Sequence, residues 1–238
     1  MFCPSCRDKR QKERSKLALD LFSDRPHDRL HALTILYQCP TNLDNIKPLI
    51  ERFRYEVDYT FQKAKHLSPV QFHGAMELDY KRPSLFEVTT LDGDTAHRAH
   101  CKQAFAAMGI DLNSPACPES WWLVHYHAIV DVGKNSASAV NQVLHDAFKG
   151  AHRVRMTGLH DEGWTPKLES IENLSNYQLK SKLQFGENIY SDDPTRQNRT
   201  CYGAAYEPHI IAQLCKTFDE NKNIYLIKFD YGSRGSGM

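Results

Sequence analysis

Apolar and polar positions alternate along this chain with two periods, which together predict strands interleaved with helices. From residue 43 to 67 apolar side chains recur every three or four residues, as on one face of a helix whose expected N-cap is Asn42. From residue 70 to 80 they alternate with polar side chains, as in a strand with one buried face. The same two periods predict strands at 30–37, 84–90, 121–132, 153–158 and 224–229, and helices at 95–108, 136–148, 166–185 and 207–218.

This alternation of strands with amphipathic helices favours an α+β fold. We expect a central antiparallel sheet with helices mainly on one face, which leaves the other face for a functional site. Residues 1–28 form a basic N-terminal arm with a Cys-x-x-Cys pair, and residues 29–232 form the main domain. Residues 233–238 are expected to be a loose tail.

The run 121–132, WWLVHYHAIVDV, is the most informative about function, because it reads as a buried strand and yet carries two histidines. His125 and His127 are two residues apart, so they point to the same face of a strand. Two imidazoles side by side form a ready pair of metal ligands. A pair of buried, hydrogen-bonded histidines would show the same pattern and is the alternative interpretation.

An acidic residue on a neighbouring strand would complete a site of mixed nitrogen and oxygen ligands. Glu77 lies on the alternating strand 70–80, and it comes next to the histidines if that strand pairs beside theirs. Two imidazoles and one carboxylate, with open positions, suit Mg²⁺ or Mn²⁺. Asp79 is the rival third ligand, and a solvent-facing carboxylate on a half-exposed sheet is the alternative for both.

The predicted helix 166–185 carries the segment NYQLKSK, in which Tyr177 and Lys180 are neighbours on one side. A tyrosine, whose unperturbed pKa is about 10, is a poor nucleophile unless a cation favours its phenolate. A metal ion can also draw charge off a phosphate that the tyrosine attacks. Taken alone, a Tyr-x-x-Lys pair is an ordinary feature of helices.

The order of these features resembles the HUH endonuclease superfamily, in particular its rolling-circle replication initiator (Rep) proteins. The matching segments, which lie between residues 29 and 190, are LHALTILY, GAMELDY, LVHYHAIVDV and NYQLKSK. The tyrosine follows the histidines, as in Rep and transposase members rather than conjugative relaxases. Position 181 is serine, so the chain is similar to single-tyrosine members.

The resemblance implies an enzyme that nicks and rejoins single-stranded DNA through a 5′-phosphotyrosine, and so initiates rolling-circle replication of a plasmid or similar mobile element. His125, His127 and Glu77 would hold Mg²⁺ or Mn²⁺, Tyr177 would be the nucleophile, and Lys180 would steady the phosphate or the phenolate. The implied partners are single-stranded or hairpin DNA and a separate helicase, since the chain has no G-x-x-x-x-G-K-[ST] loop. The alternatives are a transposase-type HUH enzyme, a non-cleaving DNA-binding protein on the same fold, and an unrelated metal-dependent hydrolase or lyase.

The formal net charge of the 238-residue chain is only +1, so any contact with nucleic acid must come from a local patch. Lys149, Arg153 and Arg155 form such a cluster, and Lys182 is a further candidate, although a solvated strand edge would look the same. The paired tryptophans at 121 and 122 are expected in the core rather than stacked on bases.

The chain has seven cysteines, no apolar leader at its N terminus and no apolar run that would span a bilayer. These features predict reduced thiols in the cytoplasm and no contact with a membrane. Cys3 and Cys6 have the spacing of half a zinc site, which His27 and His31 would complete. Free N-terminal thiols are the favoured interpretation over this structural zinc.

Overall fold

The computed structural model describes residues 4–83, 95–159, 167–177, 206–220 and 228–232. Within these residues the fold is α+β, as predicted, with one five-stranded antiparallel sheet and six α-helices. The helices are α1 (Pro4–Phe22), α2 (Ile46–Lys63), α3 (Thr95–Ala107), α4 (Ala137–Ala147), α5 (Lys167–Tyr177) and α6 (Pro208–Glu220). The strands are β1 (Leu30–Gln38), β2 (Gln71–Lys81), β3 (Trp121–Asp131), β4 (Val154–Gly158) and β5 (Lys228–Tyr231).

Each predicted strand or helix that falls on described residues has a counterpart, and the differences lie at the ends. Asn42 is not the N-cap of α2, because its side chain accepts the backbone N–H of Asp44 in a turn, and the helix begins after Asn45. The predicted strand at 84–90 and residues 178–185 of the predicted helix lie outside the described residues. None of the helices in the described part of the chain combines the length and apolar character that a membrane crossing requires.

The strands follow the order β4-β1-β3-β2-β5, so the strand with the two histidines is at the centre of the sheet. All eleven residues of β3 are buried, which agrees with its nearly continuous apolar run. Its pairing with β2 is uninterrupted from Gln71 opposite Asp131 to Lys81 opposite Trp121. Because no bulge breaks this register, the odd-numbered residues of β2 lie on the same face as the histidines.

The face of the sheet away from the histidines packs against α2, α4 and α6 and contains the main core. Aromatic rings fill its centre, where Phe53 lies 5.2 Å from Tyr126 and 5.6 Å from Phe148 between ring centroids. Gly74 of β2 permits the close fit of this layer. A Cβ atom there would lie 2.4 Å from the carbonyl oxygen of His127 and 2.5 Å from the ring of Tyr126. Any larger residue would therefore push β2 away from β3.

The histidine face is also covered by helices, which corrects the prediction of helices mainly on one face. At one end of this face, α1 and α5 contribute Ala18, Phe22 and Ile171 to a cluster with Leu30 and Ile129 of the sheet. At the other end, residues of α3 and the turn after it pack against the apolar side chains that begin β3. The face is apolar on both sides of the histidines, so both ends require cover. Both tryptophans of β3 are fully buried, which confirms their place in the core.

A buried cluster of charges attaches α1 to the edge of the sheet. Arg14, only 2% exposed, donates from Nη2 to the carbonyl of Gly74 at 2.8 Å and forms an ion pair with Asp230 at 3.2 Å. His73 Nδ1 lies 2.9 Å from the same carboxylate. Residues 4–22 of the predicted N-terminal arm therefore form a helix that packs on the sheet rather than a solvated segment.

Asp230 is expected to make the fold sensitive to acid. Burial alone would raise the pKa of this carboxyl, but the hydrogen bond and charge of His73 and the charge of Arg14 outweigh burial and lower the pKa from 3.8 to about 2. The resulting stabilisation is complete above about pH 4 and is lost as the pH falls toward 2, because the unfolded carboxyl takes up its proton first. In urea unfolding over this pH range, the wild type should lose roughly 1–2 kcal/mol more stability than Asp230→Asn.

Candidate metal centre

Glu77, His125 and His127 converge at the middle of the sheet. Glu77 of β2 lies directly opposite His125 of β3 in the register, and Ala75 lies opposite His127. Oε2 of Glu77 is 3.6 Å from Nε2 of His125 and 3.4 Å from Nε2 of His127. The strand pairing that brings Glu77 next to the histidines is therefore present.

The three side chains together have the geometry of a cation site. One donor atom from each lies within 4.8 Å of the other two, and in the described part of the chain no other three His, Cys, Asp or Glu side chains meet in this way. Donors around a cation with bonds of about 2.1 Å lie roughly 3 Å apart, so the 3.4 and 3.6 Å distances from Glu77 to the two imidazoles need only a small contraction to reach coordination. Glu77 and His125 are each 6% exposed and His127 is 8% exposed, so the donors are recessed from solvent.

The electrostatics of Glu77 favour a positive charge at this point. Neither oxygen of its carboxylate accepts a hydrogen bond from a described residue, although both are buried. A buried carboxylate is costly unless an opposite charge compensates it. A divalent cation between the carboxylate and the two imidazoles would supply that charge, so this group could hold a metal ion.

Asp79 lies beside the site but is less suited to be its third ligand. Its Oδ2 is 3.7 Å from Nε2 of His125 and 3.2 Å from Nζ of Lys81, with which it forms an ion pair. Glu77 instead reaches both imidazoles from one oxygen. Of the two acids that the sequence left open, the geometry therefore favours Glu77.

Thr34 of β1 orients one of the two imidazoles by a hydrogen bond. It lies directly opposite His127 in the register, and its Oγ1 is 2.9 Å from Nδ1 of that ring. This hydrogen bond fixes the ring so that its other nitrogen, Nε2, faces Glu77. Sequence reasoning missed Thr34. Its signal is a polar residue at an alternate position of LHALTILY, and its role becomes visible only once the pairing of β1 with β3 is known.

Thr34→Val should weaken metal binding by roughly 10- to 100-fold, because it keeps the shape of the side chain but removes the hydrogen bond that orients His127. Thr34→Ser, which keeps the hydroxyl, is the matched control and should stay near the wild type. Titration calorimetry with Mn²⁺ measures both. An unchanged affinity in the valine variant would show that His127 does not need this partner.

Tyr177 is the last residue of α5 that the structure describes, and its side chain lies outside the described residues, as do Lys180 and Lys182. The helix itself packs on the histidine face. Ile171 of α5 is in one cluster with Ile129, which follows His127 by two residues on the same face of β3. The backbone at residue 177 therefore belongs to the helix that covers the sheet next to the candidate metal site.

The predicted basic cluster divides into two parts. Arg153 is half-buried and donates to the carbonyls of Leu36, Tyr37 and Lys149, so its guanidinium ties the chain to the end of β1. Burial lowers its pKa. Lys149 and Arg155 are exposed. Arg155 lies opposite Thr34 in the pairing of β4 with β1, which places it on the histidine face, two strands from His127.

The described members of the predicted zinc set do not share a site. The ring of His27 hydrogen bonds through Nε2 to the carbonyl of Leu159. His31 lies opposite Val130 in β3, which places it on the face away from His127. Cys3 and the side chain of Cys6 lie outside the described residues, so the structural zinc stays a prediction.

The candidate metal centre thus consists of three buried ligands on adjacent strands and one orienting threonine on a third. Comparison of the chain with protein-family models, with curated proteins and with solved structures finds no significant match.

Proposed function

We propose that this protein is a metal-dependent DNA endonuclease and strand transferase of the HUH type, which initiates rolling-circle replication of a plasmid or similar mobile element. The supporting observation is the convergence of Glu77, His125 and His127 on neighbouring strands, in the order along the chain that characterises the resemblance. The helix that contains Tyr177 packs on the same face of the sheet. Nitrogen and oxygen donors with open positions suit Mg²⁺ or Mn²⁺.

In the proposed reaction, Glu77, His125 and His127 would hold Mg²⁺ or Mn²⁺, which would supply Lewis-acid polarisation of the scissile phosphodiester. The hydroxyl of Tyr177 loses its proton and its oxygen attacks phosphorus. The bond from phosphorus to the 3′ oxygen breaks as the bond to tyrosine forms, and the 3′ oxygen takes up a proton and leaves as a hydroxyl. Lys180 steadies the phosphate or the phenolate. Because one phosphodiester replaces another, attack by a 3′-hydroxyl in reverse rejoins the strand.

The expected substrate is single-stranded DNA, or DNA extruded from a hairpin. The metal ligands are recessed between apolar clusters, which a flexible single strand can reach more easily than a duplex. Arg155 is exposed on the histidine face, where its guanidinium is available to contact a phosphate. Because the net charge is only +1, such local contacts must supply the electrostatic part of the affinity.

A covalent shift on a denaturing gel tests this proposal. The full chain is incubated with Mn²⁺ and a pool of single-stranded oligonucleotides, one half labelled at the 3′ end and the other at the 5′ end. A 5′-phosphotyrosine carries the 3′ label into a protein adduct that protease digestion removes, while the 5′ label appears on a shorter fragment with a free hydroxyl. EDTA should prevent both. DNA that is bound but never cut would contradict the endonuclease and favour the non-cleaving alternative.

A further inference from the structure

The N-terminal helix α1 contacts both structural elements that build the proposed active centre. On the side of the sheet, Arg14 donates to the carbonyl of Gly74 at 2.8 Å. Gly74 is on the strand that carries Glu77, and it directly precedes Ala75, the residue opposite His127. On the side of α5, two hydrogen bonds from α1 go to one residue, Asn176.

Asn176 is held through its backbone and through its side chain. Nε2 of Gln11 donates to the backbone carbonyl of Asn176 at 3.1 Å, and Oγ of Ser15 donates to its Oδ1 at 2.8 Å. Gln11 and Ser15 are four residues apart and so lie on one side of α1. These two hydrogen bonds therefore fix the backbone and the side chain of the residue directly before Tyr177.

We propose that α1 positions the nucleophile, a role that we call the brace. Gln11 and Ser15 are its positioning residues, which fix the location of Tyr177 relative to the metal ligands. This inference rests on the proposed function. Arg14, on the side of α1 that faces the sheet, fixes the brace to the strand of Glu77. Two contacts to one residue restrict both the translation and the rotation of α5 beside Tyr177.

Apolar packing between the two helices does not account for these contacts. Ala18, Phe22 and Ile171 already bury the interface of α1 with α5 and with the sheet. The hydroxyl of Ser15 adds a directional hydrogen bond that is largely shielded from solvent, since Ser15 is only 4% exposed. A purely structural role predicts lower stability with an unchanged chemical step. A positioning role predicts a slower chemical step with unchanged binding of metal and DNA.

The test is a double variant of the full chain, Gln11→Ala with Ser15→Ala, in single-turnover formation of the covalent DNA adduct with Mn²⁺. The rate should fall by roughly 10- to 100-fold, because misplacement of a reacting group by about 1 Å costs that much. The Mn²⁺ affinity from calorimetry and the DNA affinity from anisotropy should not change. Leu17→Ala, on the exposed side of α1, is the matched control, and Ser15→Thr should retain most of the rate.

A second pair of variants removes the same hydrogen bond from either end and tests the inference even if the double variant folds poorly. Ser15→Ala and Asn176→Ala should each slow the step, and their combination should be no slower than either alone. Wild-type rates in these variants, additive losses, or a parallel loss of Mn²⁺ binding would each overturn the brace while leaving the endonuclease in place. Absence of any adduct with the wild type would instead overturn the proposed function, and the brace with it.

Discussion

Tyr177→Phe is expected to abolish the covalent adduct with DNA while leaving the affinity for DNA and for Mn²⁺ unchanged. The substitution removes one oxygen, the atom that would form the new bond to phosphorus, and keeps the ring. Loss of a nucleophile lowers kcat on the order of a million-fold in enzymes that work by covalent catalysis. The adduct should therefore fall below detection.

The measurement uses the 3′-labelled oligonucleotides, with anisotropy as the binding readout. Tyr55→Phe is the matched control, because Tyr55 is 66% exposed on α2, a helix that packs on the face of the sheet away from the histidines. It should form the adduct at the wild-type rate. If Tyr177→Phe still forms the adduct, the nucleophile has been assigned to the wrong residue, and mass spectrometry of the DNA-linked peptide would identify the right one.

Local periodicity was sufficient to predict that the two histidines share one face of a strand. That helices cover this face could be seen only in the tertiary structure. His125 and His127 share a face because side chains alternate along any strand, and Glu77 joins them through the uninterrupted register of β2. The role of Thr34 could not be predicted, because it depends on the pairing of a third strand, β1, with β3. The helix α1 shows no apolar stripe, because Arg14 and Ser15 are polar and yet buried. Their partners are Asp230 and Asn176, 216 and 161 residues away, and no local pattern encodes such pairs.

Glu77→Ala is expected to remove the response of the fold to metal. At a Mn²⁺ concentration about 100 times the dissociation constant, binding should stabilise the wild type by about 2.7 kcal/mol. For a chain of this size, that corresponds to a rise in Tm of roughly 5–10 °C. Without Glu77 the site loses its only negative ligand, so the Tm should not change with Mn²⁺. Asp79→Ala, the matched control, should retain most of the rise, because Asp79 is paired with Lys81.

The same variant without metal distinguishes a cation site from a salt bridge between Glu77 and a protonated histidine. If the carboxylate of Glu77 is a metal ligand, then in the apo wild type it is a buried charge whose oxygens accept no hydrogen bond from a described residue. Glu77→Ala removes that charge, so the apo variant should be as stable as the wild type or more stable. If the carboxylate serves an imidazolium, the variant leaves a buried positive charge uncompensated and should lose about 3–5 kcal/mol. Urea unfolding in EDTA separates these results, because they differ in sign. Two results together would show that the two histidines and Glu77 form a structural ion pair. The apo variant would be less stable than the wild type, and the Tm of the wild type would not change with Mn²⁺.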